Sequence, residues 1–119
     1  MASLAMGPNG MAMKIARFDV VLVRLDPTDG RKIRKTRPCL VISPDEMNLS
    51  LSTLLVAPLT SSGRERPTRI ATTFNRRQGL VVLDQIRTVD RLRVARRLGR
   101  IDPVTGKRVL ATLLEMFTD

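Results

Sequence analysis

The chain has 119 residues, 43% of them hydrophobic, which suits one domain around one modest core. It carries 21 Lys and Arg against 11 Asp and Glu, a net charge of +10, with no His, no Trp, no Tyr and a single Cys. That inventory excludes an intrachain disulfide, Ser-His-Asp and Cys-His catalysis, a two-histidine ribonuclease mechanism and Cys/His zinc sites, and it points to a polyanion or an acidic protein as partner.

The N-terminus, Met1 to Met11, has small residues with Gly and Pro. It lacks the basic start and long apolar stretch of a signal peptide. Residues 1–13 therefore read as a disordered tail or appended segment, and 14–119 as the folded domain. No apolar run reaches the roughly 18 residues a membrane helix needs, so no membrane contact is expected and the cytoplasm is the default compartment. The first strand is predicted over Phe18-Asp19-Val20-Val21-Leu22-Val23-Arg24-Leu25, apolar on both faces and so covered on both. A turn follows at Asp26-Pro27-Thr28-Asp29-Gly30, and a basic loop from Arg31 to Arg37.

A second strand is predicted over about 38–43, and a turn or short helix at Pro44 to Asn48. Further strands are predicted near 52–59, 69–73, 79–83 and 96–101, with an exposed loop from Ser61 to Thr68. Cys39 lies inside the second apolar run and reads as a buried, inert thiol. At the C-terminus Asp102-Pro103 is a helix start, because the carboxylate can accept from free amides and Pro fits the first helical position. Val109, Leu110, Leu113, Leu114 and Phe117 recur at helical spacing and predict one face packed on the sheet. Gly106 weakens the first turns by roughly 1 kcal/mol. The fold class is mainly β with a C-terminal α-helix, a small SH3-like β-barrel with helical cover.

Polar groups break out of apolar strands at three places: Thr36-Arg37 before Pro38-Cys39-Leu40-Val41-Ile42, Thr60-Ser61-Ser62 after Leu54 to Leu59, and Leu83-Asp84-Gln85-Ile86-Arg87-Thr88-Val89-Asp90. The chain has neither a Gly-x-x-x-x-Gly-Lys-Ser/Thr loop nor Gly-x-Gly-x-x-Gly, and its acids are scattered. What remains is phosphoryl chemistry by electrostatics. RNA carries its own nucleophile, the 2′-hydroxyl. An arginine fork can grip two phosphate oxygens, a threonine hydroxyl can donate to them, and a carboxylate can accept the 2′ proton. Arg37, Thr60 and Asp84 are the candidates. Each also has a plainer reading: Arg37 as a solvated loop charge, Thr60 as a strand end, and Asp84 with Arg87 as a structural ion pair. With only three Phe, stacking platforms for bases are scarce.

Five segments occur in order: Asp19-Val20-Val21, Leu25-Asp26-Pro27-Thr28, Arg37-Pro38-Cys39-Leu40-Val41-Ile42-Ser43-Pro44, Val56-Ala57-Pro58-Leu59-Thr60-Ser61 and Asp84-Gln85-Ile86-Arg87-Thr88-Val89-Asp90. From about residue 14 to its end the chain resembles the MazF/PemK toxins of bacterial type II toxin–antitoxin pairs. The resemblance implies a PemK-type barrel and a homodimer. It implies cofactor-free, metal-independent endoribonuclease action on single-stranded RNA, leaving 2′,3′-cyclic phosphate and 5′-hydroxyl ends. It also implies a cognate acidic antitoxin that covers the RNA groove. The catalytic positions fall on Arg37, Thr60 and Asp84. RNA-binding positions fall on Ser61, Gln85 and Arg87, while Lys32 and Lys35 add phosphate affinity from the basic loop.

Two departures stand out. Phe18 precedes Asp19 where many members have Gly, and Lys32 takes the place of a substrate-touching Glu in a loop without the usual glycines. Two alternatives remain open at this level. One is a gyrase-poisoning toxin on the same fold, against which the missing Trp argues; the other is a non-catalytic RNA or antitoxin binder.

Overall fold

The computed structural model describes residues 13–25 and 35–119. The tail reading for residues 1–12, the turn at 26–30 and the basic loop at 31–34 with Lys32 lie outside the described residues. Seven strands and two helices follow in chain order: β1 (Asp19–Arg24), β2 (Thr36–Val41), α1 (Asp45–Ser50), β3 (Thr53–Thr60), β4 (Arg69–Phe74), β5 (Arg77–Val82), β6 (Arg87–Asp90), β7 (Val94–Arg100) and α2 (Pro103–Met116). They form one antiparallel sheet in the order β4-β5-β3-β2-β1-β7, with β6 also paired to β3. The mainly β fold with its C-terminal helix is as expected.

Alternation along the strands builds two cores, since successive side chains point to opposite faces. One contains Val21, Val23, Cys39, Val41, Leu54, Val56 and Val89. The other contains Val20, Leu40, Ala57, Val81, Leu83 and Val109, with Phe74, Leu98, Leu113 and Met116 packed against it. β1 is buried on both faces, as its composition predicts. The sheet curls until its two ends approach: a Cβ on Gly99 of β7 would lie 3.1 Å from the Phe74 ring of β4. Irregular register between β1 and β7, at Val20/Val21 and Leu22/Val23, supplies part of that bend.

Two sequence expectations are corrected. The second strand starts at Thr36 rather than 38, so Arg37 is a strand residue paired with Val23 and not part of the basic loop. Backbone pairing continues past the apolar run because the ladder needs amides and carbonyls, not apolar side chains. The inner face of α2 is also turned from the expected one. Thr105, Gly106 and Val109 are buried and Leu113 and Met116 pack on the core, whereas Leu114 and Phe117 are 70% and 77% exposed.

The helix start holds: the Asp102 carboxylate accepts from Thr105 N at 3.0 Å and from Thr105 Oγ1 at 2.7 Å, with Pro103 in the first turn. Gly106 is more than a weak helix former. A Cβ there would stand 2.9 Å from the Phe18 ring, so the glycine makes room for that ring. Phe18 has φ 78°, a left-handed conformation in which an ordinary side chain is strained. Contacts across the sheet and helix hold it there.

Candidate active site

The register of β2 and β3 brings two of the candidates together. Cys39 faces Pro58, Leu40 faces Ala57 and Val41 faces Val56. Arg37 lies two residues before the Cys39–Pro58 pair on β2 and Thr60 two residues after it on β3, so both stand at the same end of the paired strands. Both residues, with Ser61, line a groove of about 530 Å3 at the open end of the curled sheet. Its walls come from the ends of β2 and β3, the β4–β5 hairpin and Leu98 of β7. Arg37 and Arg77 are its charged lining groups, and no carboxylate lines it among the described residues. Such a site favours an anion.

Local structure prepares the threonine. Ser62 N donates to Thr60 Oγ1 at 3.3 Å, and the Ser62 hydroxyl lies 3.3 Å away. The amide occupies one acceptor position, which leaves the Thr60 O–H able to donate outward. Gly79 on β5 lets that strand pass close behind, since a Cβ there would lie 2.8 Å from the Thr60 carbonyl oxygen. Beneath the arginine, Cys39 is 1% exposed, and burial pushes its thiol up to about 11 against the lowering pull of the Arg37 and Arg87 charges. It is the inert thiol expected. Arg87, on β6, pairs with Val56 of β3, whose other neighbour is Val41 of β2.

Asp84 is elsewhere. It sits in a single 3-10 turn, Leu83–Gln85, and is gripped by both Arg69 Nε at 3.0 Å and Arg69 Nη2 at 2.9 Å, with Thr68 Oγ1 donating at 3.0 Å. The Arg69 guanidinium, aided by Thr68, holds the carboxyl down to about 2. Its ion-pair partner is thus Arg69, not Arg87. Gln85 is exposed in the same turn, and Lys35 is exposed just before β2. The structure therefore brings together Arg37, Thr60 and Ser61 in one groove, and leaves Asp84, Gln85, Arg87 and Lys35 outside its lining.

Sequence reasoning missed Phe74, Asn75, Arg77, Gln78 and Leu98 as groove residues. The hairpin that carries four of them has Asn75-Arg76 at its tip, without the Asn-Gly or Asp-Gly that signals a two-residue turn. Leu98 reads only as an apolar strand residue. It also missed β6, because Arg87-Thr88-Val89-Asp90 has one apolar residue to bury.

Comparison with known proteins accords with this architecture. The family described as PemK-like, MazF-like toxin of type II toxin–antitoxin system matches residues 16–117. The chain is 34% identical over 108 residues to the endoribonuclease PemK of Escherichia coli, covering 86% of this chain and 81% of the relative. It is 31% identical over 96 residues to the endoribonuclease EndoA of Bacillus subtilis (strain 168), covering 76% and 83%. Among solved structures, a MazE–MazF crystal structure from Deinococcus radiodurans superimposes with a TM-score of 0.73 at 23% identity, covering 87% of this chain and 96% of that one, which speaks to the fold. A match over nearly the whole described domain and two relatives above 30% identity lead to one conclusion: the chain belongs to the PemK-like, MazF-like toxin family of type II toxin–antitoxin systems.

Proposed function

We propose that this protein is a metal-independent endoribonuclease that cuts single-stranded RNA within the Arg37–Thr60 groove. The observation that carries the reading is a guanidinium and a hydroxyl, 23 positions apart in the sequence, lining one groove that contains no acid among the described residues. The 2′-oxygen of one nucleotide attacks its own 3′-phosphate. The new P–O2′ bond forms as the P–O5′ bond breaks, the 2′ proton leaves to water, and the departing 5′-oxygen takes up a proton. The products are a 2′,3′-cyclic phosphate and a 5′-hydroxyl.

Arg37 holds two phosphate oxygens and offsets the charge that grows on them. Thr60 donates to the same group and fixes its orientation, and Ser61 assists at the groove wall. Arg87 and Lys35, both exposed, extend the positive surface beyond the groove, and Gln85 offers a neutral amide to the RNA. Asp84, ionised and committed to Arg69, orders the turn that presents Gln85 and Arg87 rather than accepting the 2′ proton.

The partners follow from charge and family. A surface with a net +10 suits RNA and an acidic antitoxin in competition for one face. Antitoxin pairing is supported by the MazE–MazF assembly of the Deinococcus relative. A homodimer acting in the cytoplasm completes the reading. No helix among the described residues is long and apolar enough to cross a membrane.

The test is cleavage of a long single-stranded RNA in EDTA. Wild type should cut, and Arg37→Ala should cut about 10²–10³-fold more slowly with its thermal stability kept. Arg37→Lys should not restore the rate, because an ammonium lacks the planar fork. Intact RNA at micromolar wild-type protein, or full activity in Arg37→Ala, refutes the reading.

A further inference from the structure

We infer that the β4–β5 hairpin is a base-reading element: a nucleobase next to the scissile phosphate rests on Phe74 and Leu98, and the Asn75 and Gln78 amides read its polar edge. This rests on the endoribonuclease reading above for the position of the phosphate. Three observations carry it.

The first is strain. The hairpin turns on Asn75 and Arg76, at φ 52° and 67°, between the paired residues Phe74 and Arg77. Both central residues of this turn type favour glycine, asparagine or aspartate, and arginine in this region is uncommon. Strained backbone that persists is concentrated at sites where it aims side chains. Here the tight turn sends Asn75, Arg77 and Gln78 to the wall of the groove that contains Arg37 and Thr60.

The second is chemistry. The groove lining has one aromatic ring, Phe74, half-buried and close to Gly99, and Leu98 lines it too. An aromatic ring and an aliphatic side chain in a groove can hold a base by its face, which leaves the polar edge of the base to be read by neighbouring groups. Asn75 and Gln78 line the same groove, and each carboxamide offers a donor beside an acceptor, the pattern a base edge matches with two parallel hydrogen bonds.

The third is position. Gln78 also lines a second groove of about 450 Å3, which shares Ser61, Thr72 and Gly79 with the first and has Glu65 and Thr73 in its own lining. A strand passing from one groove to the next runs over the residues the two share, and Gln78 has the longest side chain among them. That sets its amide within reach of the nucleotide at the phosphate or of its neighbour.

The experiment is cut-site mapping on a long mixed-sequence RNA with wild type, Asn75→Ala, Gln78→Ala, Gln78→Glu and Arg76→Gly. Wild type should show a restricted base at a position flanking the cut. Gln78→Ala should flatten that restriction by about tenfold to a hundredfold while cleavage continues. Gln78→Glu should shift the preference rather than flatten it, because a carboxylate only accepts. Arg76→Gly should keep the wild-type preference. Asn75→Ala, Gln78→Ala and Gln78→Glu proteins that all cut with the wild-type preference overturn the inference and leave the endoribonuclease reading intact.

If wild type cuts nothing, that reading fails by itself. The hairpin is then read by anisotropy with a short single-stranded RNA varied at one base. Base-dependent affinity that Gln78→Ala removes upholds it, and equal affinity for all four RNAs overturns it. Circular dichroism melts check that each variant is folded, and Gln78→Glu, equal in size, serves if the alanine variant is not.

Discussion

Replacing Gly106 by alanine sets helix propensity against packing. In an isolated helix the change stabilises α2 by about 1 kcal/mol. In this fold the new Cβ would lie 2.9 Å from Phe18 Cε2 and 3.1 Å from Cδ2 and Cζ. Carbon atoms in contact settle at about 3.5–4.0 Å, so the ring must retreat by more than about half an ångström. Its backbone cannot follow freely, because Phe18 N donates to Val41 O at 2.8 Å and Ile101 N donates to Phe18 O at 3.0 Å.

Overpacking of this kind costs about 1–3 kcal/mol, so Gly106→Ala should lose about 1 kcal/mol net. In a Phe18→Ala background the obstacle is gone. The same Gly106→Ala change should then gain about 1 kcal/mol, a reversal of sign within one double-mutant cycle. Urea unfolding of the four proteins, followed by circular dichroism, measures it. Each 1 kcal/mol corresponds to a Tm change of roughly 4–8 °C for a domain near this size. Equal stabilisation by Gly106→Ala in both backgrounds would show that the Phe18 contact does not set the helix position.

Three further outcomes follow from the site. Gly79→Ala should push β5 off the Thr60 carbonyl and lower RNA cleavage by about 10²-fold, the effect of a misplacement near 1 Å, read by single-turnover kinetics alongside a melt. The Asp84 carboxyl is lowered from 3.8 to about 2 by Arg69, so its stabilising contribution is complete above pH about 4 and disappears as pH falls towards 2. The stability gap between wild type and Asp84→Asn should therefore close across that window, and a gap unchanged at pH 2 would contradict the pairing. Cys39, with its thiol near 11, should resist a thiol reagent at pH 8, where roughly one thiolate in a thousand is present, until urea unfolds the chain.

Much of this protein is legible along the chain, and the legible parts have a common basis. β1, β3 and β5 are runs of apolar and β-branched residues, and α2 begins with a capping carboxylate and a proline; these signals act over a few residues. Arg37 and Thr60 stand out because polar groups end apolar runs there and because the ordered motifs resemble a known toxin family. The face of α2 was less legible. Val109, Leu113, Leu114 and Phe117 are equally apolar, and only the docking of Gly106 on Phe18 turns Leu114 and Phe117 outward. β6 escaped notice because its pairing with β3 comes from backbone groups that any sequence supplies.

The site divides in the same way. Residue types and their order selected the guanidinium, the hydroxyl and the positive charge, since those depend on what each side chain is. Which carboxylate stands free, and which wall faces the phosphate, depended on distance. Arg69 captures Asp84 across 15 positions of sequence, and the curl of the sheet carries Asn75, Gln78 and Leu98 to a groove begun at Arg37. Contacts between segments far apart along the chain leave no local pattern, so the folded sheet alone decided them.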